Sequence, residues 1–270
     1  MLQKLEIHDY TTFSGYTLEL PLSYETFGQP LGKAPVILVN HALTGNSHVS
    51  GDGGWWTDLI GPGKCIDTTK NTVISFNIPG NGYDGFLIEN FKEFTARDVA
   101  AIFLQGLEKL GVDELFAIIG GSLGGGIAWE MVAMNPKITK HLIPVASDWK
   151  STDWLIANCQ IQEQILNNSS QPVHDARMHA MLCYRTPESF KKKFGRSQNE
   201  ELQLFNVESW LDHHGNKLKD RFQLSAYKLM NQLLRTIDVT RSRESFNEVL
   251  EQVDANIHII GVDSDLFFTP

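Results

Sequence analysis

Cysteine is scarce: Cys65, Cys159 and Cys183 are the whole supply, far apart and odd in number. That excludes a disulfide framework and any cysteine-based metal spacing, and it makes the reducing cytoplasm the default compartment. Long apolar runs are missing. No stretch of ~18 apolar residues occurs, and the opening MLQKLEIHDY has no apolar segment of signal-peptide length, so no membrane partner is expected. Positive charge is in deficit, 23 Lys and Arg against 32 Asp and Glu, for a net charge of -9. Nucleic acid and anionic membranes are thereby excluded as main partners, although a local basic patch for an anionic substrate is not. Internal repeats and low-complexity segments are absent, and metal-ligand spacing is absent as well. The adjacent pair His213-His214 does not supply it, because neighbouring helical residues do not face each other.

What is present centres on Gly120-Gly121-Ser122-Leu123-Gly124. The apolar, partly β-branched residues 115–119 before it read as a strand buried on both faces. Residues 123–135 after it read as a helix that stops at Pro136. A serine between glycines at a strand-to-helix switch is the pattern of a nucleophile elbow. The serine takes a strained backbone to lift Oγ above the sheet, and the flanking glycines let strand and helix cross closely. The bland alternative is a glycine-rich loop of another α/β protein. A phosphate loop fits less well, since no Lys-Ser or Lys-Thr pair follows the glycines.

In chain order, residues 3–8 and 16–27 read as an antiparallel strand pair, and 35–40 and 72–78 as buried parallel strands. Thr95 to Asp98 reads as a capping box opening a helix that Gly111 stops. The elbow unit and a strand at 138–146 follow. Alternating strands and helices predict an α/β fold with a mostly parallel sheet and helices on both faces. From about 150 to 250 only helical periodicity and polar loops occur, with helices at 154–166, 175–183, 188–194, 208–211, 225–237 and 246–253. The sheet resumes at 256–262. The expected organisation is a core of residues 1–149 and 252–270 with a helical cap, 150–251, inserted between two of its strands.

A serine nucleophile needs a base, and the base needs an orienting carboxylate. In α/β-hydrolase folds the chain order is Ser, acid, His. Asp263 and Asp265 both stand after a late strand, where either also serves as a turn residue. No histidine follows Asp265; all nine precede it. The expectation is that this chain is a fragment without acyl-transfer activity, and that the last strand and the histidine loop lie beyond Pro270. The oxyanion donors are expected to be the amides of Leu123 and, from the loop after the third strand, Leu43.

Several uncommon stretches occur together: His41-Ala42-Leu43-Thr44-Gly45, Trp55-Trp56, Leu59 to Lys64, Ile66-Asp67-Thr68, the elbow with Trp129-Glu130, Tyr184-Arg185, Phe194-Gly195-Arg196, Val207-Glu208, Arg221-Phe222, Ser225-Ala226-Tyr227, Asp238, and Ser264-Asp265 with Phe267. With them the chain resembles the homoserine O-acetyltransferase family of α/β-hydrolase-fold acyltransferases. The resemblance implies transfer of an acetyl or succinyl group from acyl-CoA to the hydroxyl of L-homoserine, through an acyl-serine, in methionine biosynthesis. It implies Ser122 as nucleophile, Asp265 as triad acid, Leu43 and Leu123 as oxyanion donors, and Arg185 as the guanidinium that pairs with the homoserine carboxylate. Tyr184 would line the same tunnel. No bound cofactor or metal is implied, acyl-CoA being a co-substrate, and a cytoplasmic homodimer is implied. The lack of a histidine after the acid is the largest departure.

Two other readings stand beside it. A serine esterase or thioesterase shares the elbow but needs no internal carboxylate-binding arginine. A non-catalytic α/β fold kept for binding accounts for the absent histidine. The Lys191-Lys192-Lys193 run with Arg196 is either a solvated helix face or a contact for CoA phosphates. Trp55-Trp56 either lines an acyl pocket or packs its loop onto the sheet.

Overall fold

The computed structural model describes residues 1–269. An antiparallel pair, β1 (Gln3–Thr11) and β2 (Thr17–Gly28), leads into the buried strand β3 (Val36–Asn40). Two short strands, β4 (Ile60–Gly61) and β5 (Ile66–Asp67), pair with each other in the following loop. Then come β6 (Thr72–Phe76), α1 (Ala96–Lys109), β7 (Leu115–Gly121), α2 (Leu123–Met134) and β8 (Thr139–Val145). The main sheet has the order β1-β2-β6-β3-β7-β8, with the late strand β11 (Asn256–Ile257) at its edge. From β6 to β11 every neighbouring pair is parallel. The local chemistry is as expected: β3 and β6 are buried throughout, and Thr95 and Asp98 close a reciprocal capping box on α1.

Between β8 and β11 lie α3 (Asp153–Asn168), α4 (Pro172–Cys183), α5 (Pro187–Phe194), a small hairpin of β9 (Gln198–Asn199) and β10 (Leu204–Phe205), α6 (Asn206–Lys219), α7 (Leu224–Arg235) and α8 (Phe246–Gln252). Their buried faces merge with the sheet's. Leu155, Cys159, Tyr227, Leu229 and Met230 share one apolar cluster with Leu38, Ile74 and Phe103. Three expectations need correction. The hairpin is absent from the sequence reading, because two-residue strands carry no periodicity. The helix expected at 208–211 runs from 206 to 219, its polar outer face having hidden the pattern. The strand expected at 256–262 pairs regularly only at 256–257, with a single further bridge from Ile260 to Val145. It is an edge strand, and its Ile259 and Ile260 are exposed.

Candidate active site

β7 delivers Ser122 directly to the N-terminus of α2. The Ser122 amide donates to Val145 O of the neighbouring strand at 2.9 Å, and its own carbonyl accepts from Gly125 and Gly126. This holds Ser122 at φ 54°, ψ -124°, a region that residues with a Cβ rarely occupy. The crossing is tight. A Cβ on Gly120 would lie 2.3 Å from the Gly124 carbonyl, and one on Gly124 would lie 2.3 Å from Asn40 O and 2.7 Å from His41 O. The first turn of α2 therefore abuts the end of β3, where the chain enters the His41–Gly45 loop.

Ser122 opens into a cavity of about 430 Å³ that is also lined by Tyr184, Arg185, Thr186, Ser189, Asp265 and Phe267. Residues far apart in sequence thus meet: the elbow, the α4–α5 junction and the loop after β11. Asp265 Oδ1 accepts from the amides of Phe267 and Phe268 at 2.7 and 3.0 Å, which fixes the carboxylate and leaves Oδ2 without a partner among the described residues. The α3 indole Trp154 Nε1 donates to Leu266 O, and Tyr184 meets the Phe267 ring edge to face, so the helical segment docks the acid loop. Ala146, in the same cavity, is also left-handed at φ 44°. Neither the Leu43 nor the Leu123 amide donates to any described backbone acceptor, and both residues are buried. The Leu123 amide directly follows Ser122 in the chain, and Leu43 lies in the loop after β3, whose first residues abut the start of α2.

No histidine among the described residues hydrogen-bonds to Ser122 or Asp265. His41 is fully buried and fully used: Nδ1 donates to Ala42 O and Nε2 accepts from the Ile78 amide at 3.0 Å. It pins the Leu43 loop to the end of β6. Burial lowers its pKa from 6.5 to about 4. Because the folded state holds the ring neutral, the unfolded chain binds the extra proton below its ordinary value. Stability is thus expected to fall as the pH drops from about 6.5 to about 4, by about 3 kcal/mol from this residue. Urea titrations at pH 7 and pH 4.5 should show a steeper loss in the wild type than in His41→Gln. Equal losses would remove His41 as the cause. His258 is partnered by His141, and His174 by Asp175 and Asp212.

The sequence reading missed two cations. Arg177, on α4, stacks its guanidinium 5.3 Å from the Tyr184 ring centroid. Arg221 donates to Thr44 O at 3.0 Å, bracing the same loop that carries Leu43. Burial and the nearness of Arg177 lower the Arg221 pKa. Neither arginine pairs with a carboxylate among the described residues. Like charges near each other without an acid partner favour an anion beside them. Burial also raises the Tyr184 and Tyr227 phenols beside them. Helical periodicity placed Arg177 on α4, which Tyr184 caps, but gave no sign that Arg221 and Tyr227, from distant segments, stand beside them. Trp55 and Trp56 stack on each other, and Trp56 packs on the sheet cluster; neither lines the cavity.

The family model described as alpha/beta hydrolase fold matches residues 35–170. A homoserine O-acetyltransferase of Salinibacter ruber is 32% identical over 302 residues, covering 99% of this chain and 85% of its own. That of Symbiobacterium thermophilum is 34% identical, with 93% and 76% covered. Among solved structures, the homoserine O-acetyltransferase of Staphylococcus aureus superposes with a TM-score of 0.85 at 25% identity, over all of this chain and 82% of its own. An acetylester hydrolase from Corynebacterium glutamicum gives 0.83 at 21%, over 100% and 82%, a likeness of fold.

Proposed function

We propose that this chain, which belongs to the homoserine O-acetyltransferase family within the α/β-hydrolase fold, moves an acetyl or succinyl group from acyl-CoA to the hydroxyl of L-homoserine through an acyl-Ser122 intermediate. The observation that carries the reading is the cavity itself. It joins a strained serine, a carboxylate with one free oxygen and an arginine, and the amide that follows the serine has no backbone partner. Ser122 Oγ attacks the thioester carbonyl, and the Leu43 and Leu123 amides take the developing oxyanion. Asp265 Oδ2 orients an imidazole that removes the serine proton and gives it to the CoA sulfur as the C–S bond breaks; the homoserine hydroxyl then attacks the acyl-serine, giving up its proton by the same route, and Ser122 Oγ leaves. None of the nine histidines occupies that place, so the base is assigned to none of them. Free imidazole is expected to restore acylation, which electrospray mass spectrometry of the protein would read as an added acyl group.

Arg185 grips the homoserine carboxylate, since a planar guanidinium binds it bidentately, and the Arg177–Arg221 pair adds to the positive field. Arg185→Ala should raise the KM for homoserine about 10- to 100-fold with a smaller change in kcat. An unchanged KM would move the carboxylate to Arg177. The helical segment over Ser122 keeps water from the acyl-enzyme, which a transferase needs and a hydrolase does not. The deciding assay is product analysis with acetyl-CoA or succinyl-CoA in the presence of imidazole, with and without homoserine. Equal CoA release in both arms would identify a hydrolase. A cytoplasmic homodimer and a cap spanning 150–251 belong to the same proposal, and sedimentation tests the first.

A further inference from the structure

A second cavity, of about 610 Å³, lies at the far end of α5. Phe190, Phe194 and Phe205 wall it, together with Lys191 and Arg196. The first turn of α5 belongs to the catalytic cavity, through Thr186 and Ser189. The helix therefore links the two cavities over its eight residues, a rise of about 12 Å. It ends in two successive left-handed residues, Gly195 at φ 53° and Arg196 at φ 59°. Glycine adopts this freely, but Arg196 does so at a cost. The turn sets its guanidinium 5.5 Å from the Phe205 ring centroid. Ser197 holds the turn: its amide and hydroxyl both donate to Phe194 O, and its oxygens accept from Asn206. Neither Lys191 nor Arg196 pairs with a carboxylate among the described residues, in a chain of net charge -9.

Three aromatic rings and two free cations describe a ligand with a flat aromatic body and phosphates. We propose that this cavity binds the adenosine 3′-phosphate and diphosphate end of acyl-CoA, with the pantetheine arm running along α5 to Ser122. The adenine stacks among the phenylalanines, and Lys191 and Arg196 meet the phosphates. The proposal rests on the acyl-CoA reading above.

Calorimetric titration of the whole chain with CoA, pantetheine and adenosine 3′,5′-bisphosphate tests it. The bisphosphate is expected to bind and to compete with CoA. Lys191→Gln with Arg196→Gln should weaken both by about tenfold or more, while pantetheine binding and the urea midpoint stay unchanged. Arg196→Gly relieves the left-handed strain and so stays folded, and it too must lose CoA affinity. Wild-type binding of CoA that survives in all these variants overturns the proposal and leaves the donor reading intact. A wild type that binds neither CoA nor pantetheine overturns both. A Phe194→Ser variant that dissociates a dimer without changing CoA affinity assigns the cavity to a second copy, and also overturns it.

Discussion

Replacing Ser122 with alanine leaves a folded chain that takes up no acyl group. The expected loss of acyl transfer is about 10⁴-fold or more, since removing the nucleophile removes the covalent route altogether. Mass spectrometry after incubation with acetyl-CoA and imidazole should find the wild type acylated and the variant not. Acylation at another residue would end the case for the elbow. The backbone makes a companion prediction. Alanine keeps the left-handed conformation at φ 54° and so keeps its cost. Ser122→Gly removes that cost, and the folded state should gain about 1 kcal/mol while activity stays lost. Opposite signs for stability and activity at one residue would separate strain held for function from ordinary packing. A Ser122→Gly variant less stable than the wild type would show that the strain is offset by contacts of the side chain.

Gly124→Ala should damage the fold severely. Its Cβ would sit 2.3 Å from Asn40 O, and both contacting groups are backbone, so no side chain can rotate away. Asn40 belongs to the central strand β3, paired in register with Gly120. Relief requires α2 to lift from the sheet, which also carries the Leu123 amide off its place. A loss of at least about 3 kcal/mol is expected, at the upper end of overpacking costs. Urea unfolding by circular dichroism reads this directly. Wild-type stability in Gly124→Ala would mean that the helix and strand stand further apart than described here. Gly63→Ala makes the control: no atom lies within 4 Å of its Cβ, so only its positive φ matters.

The elbow was legible because three local signals coincide there: an apolar run, a Gly-x-Ser-x-Gly step and a helical run closed by Pro136. Asp265 and Asp263 were equally legible by position after the last strand; in the fold it is Asp265 that lines the cavity with Ser122, its Oδ1 bonded to the Phe267 and Phe268 amides. The amphipathic helices over the site were legible as helices but not as walls. Nothing in the spacing of Arg177 and Arg221 says that they stand close together, and nothing in Trp154 says that it holds the Leu266 carbonyl. His41 looked like a neighbour of the oxyanion loop; in the fold it is the pin beneath it.

Sequence alone determined the class of fold, the strand-to-helix turn at Ser122 and the scarcity of cations, because periodicity, glycine placement and composition are local properties of the chain. Tertiary structure alone decided which late aspartate lines the serine's cavity, which arginines go unpaired among the described residues, and that α5 runs from one cavity to the next. Those are facts about distance through space between segments far apart in the chain, such as Ser122 and Asp265, and no local pattern encodes them.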